Sequence, residues 1–229
     1  MRILVIDSAL AGCTAAVVRD EAVVAERQVA AARGQASLLP GLVQAVLSQA
    51  GMTVGDLDLI AATVGPGSFT GIRAGLALAH GLGAAADVPV VGVAVAEALA
   101  EALPRLGQRE LWVAIASRRG RAFLDRGGQT GSVFLDTLPV PDGPVAVAGD
   151  AAVDIAARLA ARDCDVMLTD ARLPAARQVA LVAARRFAGG LPPLAAQPLY
   201  VDPPEAALPA GGLRPPPISG SRASGATDG

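Results

Sequence analysis

Residues 59–83, LIAATVGPGSFTGIRAGLALAHGLG, constrain the fold more than any other stretch of the chain. Leu59-Ile60-Ala61-Ala62-Thr63-Val64 is a short apolar run with β-branched members, the pattern of a buried strand. GPGSFTG at 65–71 follows, with three glycines and a proline, and is too rich in breakers to be strand or helix. From Ile72 the sequence turns into an Ala- and Leu-rich helix. Ser68 and Thr70 stand just ahead of it, where a hydroxyl accepts a bond from an orphan backbone N–H. Strand, glycine loop and helix start make an α/β unit, and backbone donors at a positive helix end suit an anion. The known phosphate-loop spacings are not met, however. Gly71-Ile72-Arg73 replaces the Gly-Lys-Ser/Thr of a P-loop, and Thr70 stands where GxGxxG needs its third glycine. Pro66 breaks the GxSxG of a nucleophile elbow around Ser68. A structural turn is the favoured reading over a phosphate cradle.

The helix carries a second pattern. Gly71, Gly75, Ala79 and Gly83 recur every four residues and form one row of small side chains. An interior helix glycine costs about 1 kcal/mol against alanine, so close packing has to offset it. The row admits either the chain's own sheet or a helix of another subunit, and periodicity does not separate the two.

Composition excludes several classes. With 52% hydrophobic residues and a mean hydropathy of +0.47 the chain is apolar, yet no run of 18 large apolar residues appears. The run at 74–86 is interrupted by His80 and glycines and ends at Asp87, so no membrane span is expected. Met1-Arg2-Ile3-Leu4-Val5-Ile6 leads straight into a strand ending at Asp7 without a cleavage pattern, and the cytoplasm is the expected location. Cys13 and Cys164 lie far apart without metal spacing and read as small buried residues of a reducing compartment. One histidine, His80, makes a His-based metal site implausible; a packing role on its helix is favoured over a general base. The net charge of −2 does not suggest a nucleic-acid binder. Arg118, Arg119 and Arg121 form one basic cluster, for which a solvated loop is favoured over a minor RNA phosphate contact.

Along the chain, RILVID (2–7), CTAAVVRD (13–20) and AVVAERQVA (22–30) read as an antiparallel meander. Residues 37–50 form a helix with Pro40 in its first turn and Gly51 as its stop; its apolar positions cover more than one sheet face requires. Strand 88–95 and helix 96–104 close a first lobe, 1–104. Strands at 111–117, 121–127 and 131–138 open a second lobe, 105–202, completed by strand 145–150, helix 151–162, strand 166–168 and helix 174–188. The Pro/Gly/Ser-rich residues 203–229 read as a disordered tail.

GPGSFTGIRAGLALAHGLG closely resembles the signature of the TsaB (YeaZ) family, bacterial proteins of tRNA threonylcarbamoyladenosine synthesis. MRILVIDSA, SLLPGLVQAVLSQAG at 37–51, LWVAIASRRG at 111–120 and PLYVD at 198–202 extend the resemblance over most of residues 1–202. It implies an α/β, two-lobed actin-like (ribonuclease H-like) fold with mixed sheets flanked by helices. It further implies a partner subunit without catalysis of its own, pairing with a TsaD-type enzyme that holds ATP and metal, together with a TsaE-type ATPase. No cofactor is expected on this chain, homodimer and heterodimer both stay open for the isolated chain, and tRNA contact is at most indirect. The resemblance places the interface on helices 37–50 and 72–84, with Leu39, Leu42, Val46, Gly71, Gly75, Leu78, Ala79 and Leu82. The signature loop is Gly65, Pro66, Gly67, Ser68, Phe69, Thr70, Gly71 and Arg73. Asp7, Ser8 and Gly149 match the superfamily's nucleotide contacts as vestiges: Asp7-Ser8-Ala9 lacks the glycine of the usual first phosphate loop, and AGD at 148–150 has only one. Gln35 stands where relatives often carry histidine, and Ala116 where they often carry an acid.

Two other readings remain open on the residues. An ATPase or small-molecule kinase of the same superfamily would use Asp7, Ser68, Thr70 and the 148–150 turn, but needs a second carboxylate near the γ-phosphate; Asp150 and Asp125 are the candidates. A peptidase would need a nucleophile–base pair, and no such spacing occurs.

Overall fold

The computed structural model describes residues 1–30, 35–103 and 105–201; the tail expected at 203–229 lies outside the described residues. β1 (Arg2–Asp7), β2 (Cys13–Arg19) and β3 (Ala22–Val29) form the expected antiparallel meander. β4 (Leu59–Gly65) and β5 (Val90–Ala94) add to it in parallel, giving the order β3-β2-β1-β4-β5 with Val5 beside Ala61 and Ile6 beside Ala62. Parallel neighbours need long crossovers. α1 (Gln35–Ala50) provides the one into β4, and α2 (Phe69–Ala86) the one into β5.

Strand alternation sorts the sheet's residues between two cores. Leu4, Ile6, Val17, Ile60 and Ala62 meet Leu39, Val43, Val46, Ile72 and Leu76 of α1 and α2. Ile3, Val5, Ala16, Val18, Leu59 and Ala61 turn the other way. That second face is covered by α5 (Ala176–Phe187) through Val179, Ala180, Val182 and Ala183, beside α3 (Val95–Glu101).

The second sheet repeats the first. β6 (Glu110–Ala116), β7 (Arg121–Arg126) and β8 (Gln129–Phe134) form an antiparallel meander. β9 (Val145–Ala148) and β10 (Val166–Leu168) add in parallel, in the order β10-β9-β6-β7-β8. Where the first lobe has α1 after its meander, the second has a single 3-10 turn, Leu135–Thr137. α4 (Ala152–Ala160) covers one face through Ile155 and Leu159, against Trp112, Leu124, Val145 and Val147. Val113, Ile115 and Ala148 on the opposite face join the core of the first lobe, so the two sheets share packing.

Three sequence expectations are corrected. α5 belongs to the first lobe in space, although its residues fall within the expected second lobe, 105–202. The reason is a buried arginine: Arg186 donates to the Gly92 and Pro192 carbonyls, both at 2.8 Å, and pairs with Glu97. These bonds pin the last turn of α5 to β5 and α3. α2 begins at Phe69 rather than Ile72, because Ser68 is the N-cap and accepts from the Gly71 N–H at 3.2 Å. Thr70 therefore lies inside the first turn. α1 begins at Gln35, so Pro40 sits in the second turn, on the exposed side.

Candidate functional site

The glycine loop after β4 closes on the turn after β1. The Ser68 N–H donates to the Ala9 carbonyl at 2.6 Å. A Cβ at Gly67, whose φ is +153°, would lie 2.0 Å from that same carbonyl oxygen, so only glycine lets the two turns approach. Asp7, at the end of β1, is buried and accepts from the Thr63 hydroxyl at 2.6 Å and the Ala9 N–H at 3.0 Å. Burial pushes its carboxyl pKa above the usual range, against the downward pull of those bonds. Ser8 donates to the Gly71 carbonyl at 2.7 Å. Asp7 and Ser8 thus fasten β1 to β4 and α2.

Gly149 and Asp150 do the same in the second lobe. A Cβ on Gly149 (φ +98°) would lie 2.1 Å from the Ala114 carbonyl oxygen, and the Gly149 N–H donates to Ala171 at 2.8 Å. Asp150 accepts from the Ala116 N–H at 2.7 Å, and burial raises its pKa. The fold class implies Mg-ATP between such loops, but these residues do not fit it. The glycine-loop donor at Ser68 points at a protein carbonyl, and the Asp7 carboxyl is held by burial toward its neutral form. Among the described residues, no group of three or more His, Cys, Asp or Glu side chains gathers to hold a metal ion.

Outward from these turns lies a cleft of about 1130 Å³ between the lobes. One wall is the start of α2 with Phe69 and Arg73; the facing wall is the β6–β7 turn with Arg118, Arg119 and Arg121. The segment 198–201 closes one side. The Arg73 guanidinium lies 3.7 Å from the centre of the Phe69 ring and donates to the Tyr200 hydroxyl at 2.7 Å. Arg121 lies 4.4 Å from the centre of the Phe134 ring. Tyr200 is placed by a strap: Leu199 N–H donates to Val64 at 2.8 Å, and His80 Nε2 lies 2.6 Å from the Ala196 carbonyl oxygen. Sequence reasoning saw the arginines as a solvated loop and missed the cleft. Arg73 and Tyr200 are 127 positions apart, and no local pattern joins them.

The outer surface of α1 and α2 is the second candidate. Here the small-residue row is corrected. Gly71, Gly75, Ala79 and Gly83 are all buried against the chain's own sheet. A Cβ on Gly75 would lie 2.7 Å from Ser8 Oγ, and one on Gly83 2.7 Å from the Val88 carbonyl oxygen. Leu39 and Val46 are likewise fully buried in the core, so neither they nor Gly71, Gly75 and Ala79 present a surface to a partner. Leu42, Leu78 and Leu82 are half-buried. The exposed row is a different one: Ala77, Gly81, Ala84 and Ala85 on α2, beside Leu38, Gly41 and Ala45 on α1. Added Cβ atoms at Gly41 and Gly81 would meet nothing within 4 Å.

Several known proteins resemble this chain in sequence or in fold. The family model for TsaD, tRNA N6-adenosine threonylcarbamoyltransferase, matches residues 28–159. The chain is 35% identical over 124 residues to a protein of Escherichia coli K12 described as the tRNA threonylcarbamoyladenosine biosynthesis protein TsaB, covering 54% of this chain and 53% of that one. It is 46% identical over 63 residues to a tRNA N6-adenosine threonylcarbamoyltransferase of a Ruegeria species, covering 28% of this chain and 17% of that one. The chain spans about half the length of the curated relatives it matches first. Among solved structures, YeaZ from Pseudomonas aeruginosa superposes with a TM-score of 0.71 at 23% identity, covering 87% of this chain and 99% of that one. That likeness concerns the fold, and it agrees with the two-lobed α/β architecture.

Proposed function

The chain belongs to the TsaB (YeaZ) branch of the tRNA N6-adenosine threonylcarbamoyltransferase family, and from that premise we propose a partner subunit without catalysis of its own. Its assembly transfers a threonylcarbamoyl group to N6 of the adenosine next to the anticodon of tRNA. A TsaD-type subunit carries the chemistry, with its own ATP and metal, and a TsaE-type ATPase completes the assembly in the cytoplasm. The same surface of this chain pairs two copies when the catalytic subunit is absent.

The observation that carries this reading is the charge-poor outer face of α1 and α2, where Arg73 at the start of α2 is the one charged side chain. α1 contains no charged residue in 16, and α2 contains one arginine and one histidine in 18. Surface helices ordinarily carry charge on the face away from the core. This pair instead presents Ala77, Gly81 and Ala84 beside Gly41, Ala45 and Leu38. Small exposed side chains let partner helices approach closely, and uncharged ones carry no desolvation penalty at the contact.

The test is a pair of single substitutions, Gly81→Arg and Ala45→Arg, with isothermal titration against a TsaD-type subunit. Both sites are exposed, so circular dichroism stays native. A long charged side chain in a close helix contact is expected to abolish measurable binding. Unchanged affinity in both variants would overturn the assignment of this face.

A further inference from the structure

The interlobe cleft has a composition that the subunit reading does not use. The chain has four phenylalanines, one tyrosine and one tryptophan; three of the phenylalanines and the tyrosine line this one cleft. Phe69, Phe134 and Tyr200 are each more than half exposed there, at 54%, 51% and 57%. The chain's net charge is −2, yet the cleft gathers Arg73, Arg118, Arg119 and Arg121 against a single acid, Asp150. Arginine planes lie over two of the exposed rings, with Arg73 on Phe69 and Arg121 on Phe134. These contacts hold the rings in place and spread positive charge beside them.

Rings exposed beside arginines select a ligand that is both planar and polyanionic. Single-stranded nucleic acid has that chemistry, because bases stack on the rings while phosphates meet the guanidinium groups. An acidic peptide would satisfy the arginines and leave the rings bare. A duplex keeps its bases stacked internally and cannot offer them. At about 1130 Å³ the cleft exceeds the range of roughly 300–1,000 Å³ usual for small-molecule sites, and a lone nucleotide leaves most of it unfilled.

We propose that this cleft binds a single-stranded segment of nucleic acid, stacking bases on Phe134 and Tyr200 and meeting phosphates with Arg118. Arg73 acts as a positioning residue, since its bond to the Tyr200 hydroxyl fixes that ring at the cleft mouth. The inference goes beyond the subunit reading and does not rest on it: the chain binds the single strand with or without a protein partner.

Fluorescence anisotropy on the full chain tests this, using a fluorescein-labelled unstructured RNA of about 12 nucleotides, within the usual span of a single-strand groove. Saturable binding is expected, weakened about tenfold by Phe134→Ala and by Tyr200→Ala, the loss of one stacked base in each case. Tyr200→Phe keeps the ring but loses the Arg73 bond, and is expected to weaken binding less than Tyr200→Ala does. Arg118→Gln is expected to lower the slope of log K against log salt by about one. Gly81→Arg, on the outer helix face, is expected to leave RNA affinity unchanged even where it abolishes partner binding, so the two proposals fail separately. Native circular dichroism of each variant assures the comparison. No saturable binding, equal affinity for the duplex of the same sequence, full displacement by equimolar AMP, or unchanged affinity in both Phe134→Ala and Tyr200→Ala would each overturn the proposal.

Discussion

Replacing Gly75 by alanine decides which way the small-residue row faces. In an exposed helix interior the change gains about 1 kcal/mol of helix propensity. Here the new Cβ would lie 2.7 Å from Ser8 Oγ, while Ile6 Cγ2 at 3.6 Å and Ser8 Cβ at 4.0 Å are ordinary contacts. The clash is with one atom only. That oxygen relieves it by rotating, which breaks the 2.7 Å bond to the Gly71 carbonyl and leaves a buried hydroxyl without that acceptor. A stranded buried polar group costs about 1–3 kcal/mol. Set against the propensity gain, Gly75→Ala is expected to lower stability by about 1 kcal/mol. Ser8→Ala removes the oxygen and with it the clash. In that background the same Gly75→Ala change is expected to reverse sign and stabilise by up to about 1 kcal/mol. Urea unfolding of the four proteins closes the cycle, with the m-value checking that compactness is unchanged. Additive effects, or stabilisation by Gly75→Ala alone, would refute the inward orientation of the row and return it to the surface of a partner.

Three further outcomes follow from the same geometry. Asp7→Asn keeps an acceptor for Thr63 and Ala9 and removes the charge that burial disfavours. Because burial raises the Asp7 pKa, its favourable contribution is complete below 3.8 and is lost as pH rises through the raised folded value. The variant should therefore melt higher than wild type at pH 7–8 (roughly neutral, where carboxylates ionise), with the gap closing in acid; a lower melting temperature at neutral pH would count against a protonation cost. Asp58 behaves oppositely: the Arg2 side chain and N–H hold its pKa down to about 2, so its stabilisation is present above 3.8 and disappears as pH falls through about 2. The pair is well exposed, so Asp58→Asn should cost under about 1 kcal/mol at neutral pH, read by urea midpoint, and a larger loss would mean the solvent screens it less than assumed. Gly67→Ala drives a Cβ onto the Ala9 carbonyl at 2.0 Å, against backbone that cannot rotate away, and should destabilise by about 3 kcal/mol or prevent folding; native stability would show that the two turns are not in contact.

Much of the fold was legible because its signals are local. The strand at 59–64 needed only its apolar β-branched run, and both meanders needed only turn spacing, which is why their positions agree with the structure to within a few residues. The faces of the helices were less legible. On α2, Gly71–Gly75–Ala79–Gly83 and Ala77–Gly81–Ala85 are both rows of small residues spaced four apart, and an Ala-rich helix leaves no polar stripe to say which is outside. Only the sheet beneath it, through Ser8 and Ile6, makes the choice. The return of α5 to the first sheet was hidden for a similar reason. Arg186 reads in sequence as a surface arginine, and its partners Gly92 and Glu97 lie 94 and 89 positions away. The cleft combines residues from the start of α2, the β6–β7 turn and the strap at 198–201, and no window of sequence contains them together.

At the strand ends of both sheets the turns close on the chain's own residues. In a phosphoryl-transfer site the backbone donors and carboxylates at those ends face the ligand. In this chain each lobe turns them onto its own backbone. Gly67 seats on the Ala9 carbonyl, and Gly149 on that of Ala114. Asp7 bonds Thr63 of the neighbouring strand, and Asp150 bonds the end of β6 at Ala116. Both stapling acids have raised pKa values through desolvation, Asp7 buried and Asp150 half-buried at the cleft edge. Two surfaces stand out beside these joints: the arginine and aromatic lining at the mouth of the cleft and the charge-poor outer face of α1 and α2. The first suits stacked bases and phosphates, the second a close helix contact. They draw on different residues, so a substitution on one should leave the other's ligand bound.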